Sequence, residues 1–167
     1  MTENVVGLTF REATRADVPA IVAMLADDML GRQRERLADP LPDSYYTAFD
    51  AIAADPNNVL LVVCRGHDVV GTLQLTLTPS LSHRGSLRGT IESVRTTSAV
   101  RGQGVGSALV RYAIEAARQR GCAMVQLSSD KRRGDAKRFY ERLGFRASHE
   151  GMKLALDEQT RRTSDGD

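Results

Sequence analysis

Cysteine occurs only twice in this chain, and Cys64 and Cys122 have no spacing of the kind that metal sites use. A cysteine-built metal centre is thereby excluded, and both thiols read as small buried hydrophobes. Long apolar runs are also missing: no stretch approaches the roughly 20 residues that cross a bilayer. The opening residues, MTENVVGLTF, lack the basic start and apolar segment of a secretory signal, so the cytoplasm is the expected location. Charge of one sign is scarce too. A net charge of +2, from 23 basic and 21 acidic residues, argues against a general nucleic-acid binder. Neither a membrane nor a nucleic acid is expected as a partner.

What is present suits one soluble α/β domain. A chain of 167 residues can bury a substantial core, and residues 1–157 are expected to form it, with 158–167 as a flexible tail. Val5 to Arg11 reads as a strand, and TRAD (Thr14–Asp17) as a capping box opening a helix with Val18, Ile21, Val22 and Leu25 on one face. A second helix starts at Asp43 or Ser44 and presents Tyr46, Phe49 and Ala53. VLLVVCR and VVGTLQLTLT form a hairpin in which Leu73, Leu75 and Leu77 alternate with Gln74, Thr76 and Thr78. TIESVRTT is a further strand.

The longest helix is predicted over Gly104 to Gln119, with Val105, Ala108, Leu109, Tyr112 and Ala116 inward and Gly121 ending it. AMVQLS reads as a short buried strand. GDAKRFYERLGF is a helix with Ala136, Phe139, Tyr140 and Leu143 on one face, and MKLAL a last strand. The order β-α-α-β-β-β-α-β-α-β implies helices flanking a mixed sheet, antiparallel early and crossing over through a helix later.

Between strand and longest helix lies VRGQGVGSAL. Helix-initial N–H groups have no internal partner and carry partial positive charge, and glycine lets a ligand approach them, so such a turn suits an anion. It is not a Walker loop, because Ser107 follows Gly106 with no lysine, nor does it have the spacing of a dinucleotide fingerprint. RGQGVG fits Arg/Gln-x-x-Gly-x-Gly/Ala, and IESVRTTSAVRGQGVGSALV together with DAKRFYERLGF resembles the GNAT superfamily of N-acetyltransferases over nearly the whole chain. Within it, the region QLSSDKRRGDAKRFYERLGFRASHEGMKLAL looks like the small-molecule enzymes akin to aminoalkylphosphonate N-acetyltransferase.

The resemblance implies acetyl-CoA as co-substrate. Its pyrophosphate would rest on the N–H groups of Gln103, Gly104, Val105, Gly106 and Ser107, beside Arg101 and Gly102. Its pantetheine would pair with Val94, Arg95 and Thr96 like an added strand, and Arg133 and Lys137 would reach its phosphates. Glu92 takes the position of the catalytic base, acting directly or through water, and Tyr140 that of the general acid. Asp130 stands near where many members carry Asn, a departure from the family pattern. The expected acceptor is a small primary amine, in a pocket walled by the first two helices and the loops 31–42 and 80–89. Asp27, Asp28, Glu35 and Asp39 there suit an aminium, whereas Arg32, Arg34 and Arg36 suit a carboxylate or phosphonate. His83 and His149 read as loop polar groups, and no metal is expected. A homodimer is the expected assembly. Acetylation of a protein or peptide, and acyl-CoA sensing without catalysis, stay open as alternatives.

Overall fold

Three of the four strand pairings join neighbours in sequence through antiparallel ladders, and the fourth is parallel, which requires a crossover. In the computed structural model, which describes residues 7–28 and 30–156, β1 (Leu8–Glu12), β2 (Asn58–Arg65), β3 (Asp68–Pro79), β4 (Leu87–Thr96) and β5 (Cys122–Leu127) lie in that order across one sheet. The helices are α1 (Val18–Ala26), α2 (Asp43–Ala54), a single turn α3 (Ser82–Gly85), α4 (Val105–Gln119) and α5 (Gly134–Arg142). The expected mixed sheet between helices is borne out. Val5 and the 158–167 tail lie outside the described residues.

Alternation in β3 places Leu73, Leu75 and Leu77 on the face that receives α4, where Val105, Leu109, Val110, Ala113 and Ala117 are buried. On the other face Ile21 and Met24 of α1 cover Val62 and Cys64. Each fully buried leucine contributes on the order of 2 kcal/mol. Asp17 opens α1: its carboxylate accepts from the Thr14 N–H at 2.7 Å and from Arg11 at 2.6 and 2.9 Å.

Four expectations are corrected. Tyr112 is exposed and stacks on Phe10 at 4.9 Å, because the inward stripe of α4 runs through Val110, Ala113 and Ala117 instead. Ala53 is exposed, and Ile52 takes the inward place on α2. β5 is an edge strand with Ala123, Met124 and Gln126 exposed rather than a buried one. MKLAL forms no strand: Met152, Leu154 and Leu156 are 96%, 84% and 86% exposed. The alternation is there, but a strand also needs a ladder partner.

One irregularity re-aims a side chain. Between Thr72↔Arg95 and Gln74↔Glu92 the ladder spans one intervening residue on β3 but two on β4. The additional residue is accommodated at Ser93, whose φ is 54°. Ile91 and Val94 therefore both pack toward the α4 side although they are three apart, and Arg95 is turned toward α1. This is a β-bulge.

Candidate active site

The parallel ladder between β4 and β5 ends at Ile91↔Leu127. Beyond it Arg95 and Thr96 stay paired with Thr72 and Gly71 of β3, Val94 lies in the bulge, and none of the three pairs with β5, so one edge of β4 opens into a cleft. Glu92, Arg95, Thr96, Gly104, Gly106 and Tyr140 all line that cleft. So do Val94, Arg101, Gly102, Val105, Ser107, Arg133 and Lys137, but not Gln103, and of the charged residues expected around the acceptor only Arg34 does.

At the mouth of the cleft the chain turns into α4 through glycines in the left-handed region, Gly102 at φ 76° and Gly104 at 79°. The Ala108 N–H reaches back to the Gly104 carbonyl at 3.0 Å, so the N–H groups of Val105, Gly106 and Ser107 come ahead of this first i→i−4 bond. Gln103 is turned away: its N–H donates to Val100, its amide to the Ala99 carbonyl at 2.8 Å, and its oxygen accepts from Arg65 at 3.1 Å. Arg101 pairs with Asp27 at 3.0 Å, tying the end of α1 to the turn. A Cβ on Gly106 would meet only Phe139 and Thr96, at 3.7 and 3.8 Å, so this glycine faces the opening between β4 and α5. The open strand edge and the free helix-initial amides fit a linear thioester coenzyme with a diphosphate.

Glu92 is exposed on β4. Tyr140 is half-buried on α5, held edge-on between Phe139 and Phe145 with ring centroids 4.9 and 5.8 Å away. Burial pushes its phenol upward, while Arg95 and Arg133 pull the other way. Lys137 pairs with Glu141 at 3.9 Å on the exposed face of α5. Asp130 is held well below the ordinary carboxylate range by Arg132.

Three of the four acids expected on the acceptor side, Asp27, Asp28 and Glu35, are engaged rather than free to draw an aminium. Besides Asp27, Glu35 accepts from the Tyr45 hydroxyl at 2.9 Å. Asp28 accepts from Arg133 and from the Gly31 N–H at 3.2 Å, with Arg95 at 3.5 Å. This cluster joins residues 28, 95 and 133, which no local pattern could bring together. Arg133 is the residue that precedes the first turn of α5, and it lines the cleft.

A splayed mixed sheet with an anion-accepting turn beside the splay is the framework of an acetyltransferase. The family model described as the acetyltransferase (GNAT) family matches residues 23–145, and the chain belongs to that family. It is 32% identical over 146 residues, 87% of this chain and 90% of the relative, to the aminoalkylphosphonate N-acetyltransferase of Salmonella typhimurium strain LT2. It is 38% identical over 88 residues to the glucosamine 6-phosphate N-acetyltransferase of Trypanosoma brucei brucei, covering 53% of this chain and 58% of that protein. A crystal structure from Bacillus halodurans C-125, described as a transcriptional regulator, is 58% identical with a TM-score of 0.88, covering 89% of this chain and 99% of that one. The chain is thus an acyltransferase of the N-acetyltransferase kind.

Proposed function

We propose that the protein transfers the acetyl group of acetyl-CoA directly to the primary amine of a small molecule, with Glu92 as base and Tyr140 as acid. The observation that carries this reading is the meeting of Glu92, Tyr140 and the α4 turn in one cleft. The Salmonella typhimurium and Trypanosoma brucei brucei relatives, N-acetyltransferases of small molecules by name, support the acceptor class.

Acetyl-CoA supplies an activated thioester carbonyl. The amides of Val105, Gly106 and Ser107 hold its diphosphate and the free edge of Val94 to Thr96 its pantetheine, which aims the thioester at the splay. Arg101 adds charge at the turn. Glu92, directly or through one water, takes a proton from the acceptor aminium, because only the neutral amine is a nucleophile. As the new C–N bond forms and the C–S bond breaks, the Tyr140 hydroxyl donates its proton to the departing sulfur. A phenol with its ordinary value raised by burial is still protonated at neutral pH, the state an acid requires. The second proton of the nitrogen passes through water to the tyrosinate, leaving the neutral amide, and Glu92 releases its proton to solvent. Nothing in this scheme requires Cys64 or Cys122.

A panel of primary amines assayed by release of the free CoA thiol tests the reading. Tyr140→Phe keeps the aromatic packing and is expected to lower kcat at least tenfold, and Glu92→Gln to lower turnover with acetyl-CoA affinity retained. Full activity in either variant removes that residue from the scheme, and CoA release with no amine at all removes the function.

A further inference from the structure

We propose that the Asp28–Arg95–Arg133 cluster is an oxyanion subsite for the acceptor: the amine substrate carries a carboxylate or phosphonate-type group that docks on Arg95 and Arg133. The inference deepens the small-amine reading and rests on it. Two guanidinium groups face one carboxylate within the cluster, an excess of one positive charge that Glu35 offsets only from outside hydrogen-bonding distance. All three side chains are largely withdrawn from solvent, at 21% exposure for Arg95, 27% for Arg133 and 15% for Asp28. Water can therefore neutralise that surplus only in part.

Arg95 also has donor capacity to spare. Its Nη1 donates to the Val94 carbonyl at 2.8 Å and its Nη2 faces Asp28, but its Nε is buried with no hydrogen-bond partner. A buried donor without an acceptor costs roughly 1–3 kcal/mol, and a small rotation of the guanidinium toward an oxyanion in the cleft would remove that cost. Burial pushes the guanidinium below its ordinary value, and the neighbouring Arg133 adds to this against Asp28. Planar forks of N–H groups match the paired oxygens of a carboxylate or phosphonate.

Location supports the same use. Arg95 lies three residues from Glu92 along β4, and both arginines act electrostatically on Tyr140. An anion held there would place the amine of a short bifunctional molecule between the proposed base and acid. Asp28 is then a positioning residue, set by the Gly31 N–H, that holds the two arginines side by side without quenching both.

The test compares 2-aminoethylphosphonate, β-alanine and propylamine by CoA release. At least one anionic amine is expected to exceed propylamine tenfold or more in kcat/KM, chiefly through KM, and Arg95→Gln to shrink that ratio at least tenfold, with Arg95→Lys restoring part of it. Preference for one anion over the other identifies the oxyanion. Equal use of all three, or a ratio unmoved by Arg95→Gln, overturns the subsite while leaving the acetyltransferase reading intact. A second measurement needs no turnover. With CoA saturating the turn, methylphosphonate or acetate should raise the Tm of the wild type and not of Arg95→Gln, and CoA alone should raise both. No shift by either anion in the wild type overturns the subsite. A shift without acetylation of any amine leaves the subsite and sinks the function.

Discussion

Ser93 decides where Arg95 points. A non-glycine residue at φ 54° costs about 1 kcal/mol or more, and without an inserted residue the pleat would carry Arg95 to the side occupied by Ile91 and the α4 core. Ser93→Gly removes the steric penalty at some cost in chain entropy, so stability should hold or rise by up to about 1 kcal/mol. Ser93→Val, β-branched and unsuited to positive φ, should lose about 1–2 kcal/mol. Urea midpoints at constant m-value check both. This residue also marks a limit of sequence reading. IESVRTT alternates well enough to predict a strand, yet serine has no intrinsic signal for a left-handed φ, so the turn of Arg95 toward Asp28 was invisible.

Among the elements, the start of α1 has the clearest electrostatic signature. Arg11, foremost by hydrogen bonding, and then Thr14 hold the Asp17 carboxyl down at about 2 from its ordinary 3.8, against the opposing effect of burial. A depressed carboxyl stabilises the fold in full above 3.8, and that contribution is lost as the pH falls through about 2. Asp17→Asn should therefore cost about 2 kcal/mol at neutral pH, with the gap from wild type closing as the pH approaches 2. Unfolding curves between pH 7 and 2 read it. TRAD made this cap legible, because a capping box is a local pattern. The turn after α1 was not legible: a Cβ on Gly31 would lie 1.8 Å from the Leu25 carbonyl oxygen, a contact made by folding and unmarked in GRQRERLADPLP. Gly31→Ala should cost roughly 2–3 kcal/mol by forcing backbone movement, and the same movement should loosen Asp28 and raise the KM for an anionic amine. Calorimetry and the CoA-release assay measure the two effects separately.

At the scale of the molecule, the order of elements through α5 followed from periodicity and glycine punctuation, while the cleft followed from where a ladder stops, which periodicity does not encode. MKLAL shows the same gap, its alternating Met152, Leu154 and Leu156 lacking a partner strand. Glu92, Tyr140 and the glycine turn were found through family motifs, and the Arg95–Asp28–Arg133 contacts were not, since they join three distant stretches. The cleft also separates the needs of folding from those of binding. At Gly104 a left-handed φ of 79° calls for glycine on backbone grounds alone. Gly106 differs, for its added Cβ would make only ordinary contacts with Phe139 and Thr96, and alanine is the better helix former by about 0.5–1 kcal/mol. Gly106→Ala should thus leave the free protein as stable as the wild type or slightly more so. If the coenzyme threads between β4 and α5, the same methyl group stands in its way, and affinity should fall about tenfold, or about 1.4 kcal/mol. Because a ligand at 100 times its Kd stabilises a fold by about 2.7 kcal/mol, the Tm gain on adding CoA should shrink in Gly106→Ala while its ligand-free Tm does not drop. An undiminished gain would place the coenzyme elsewhere than beside the first turn of α4.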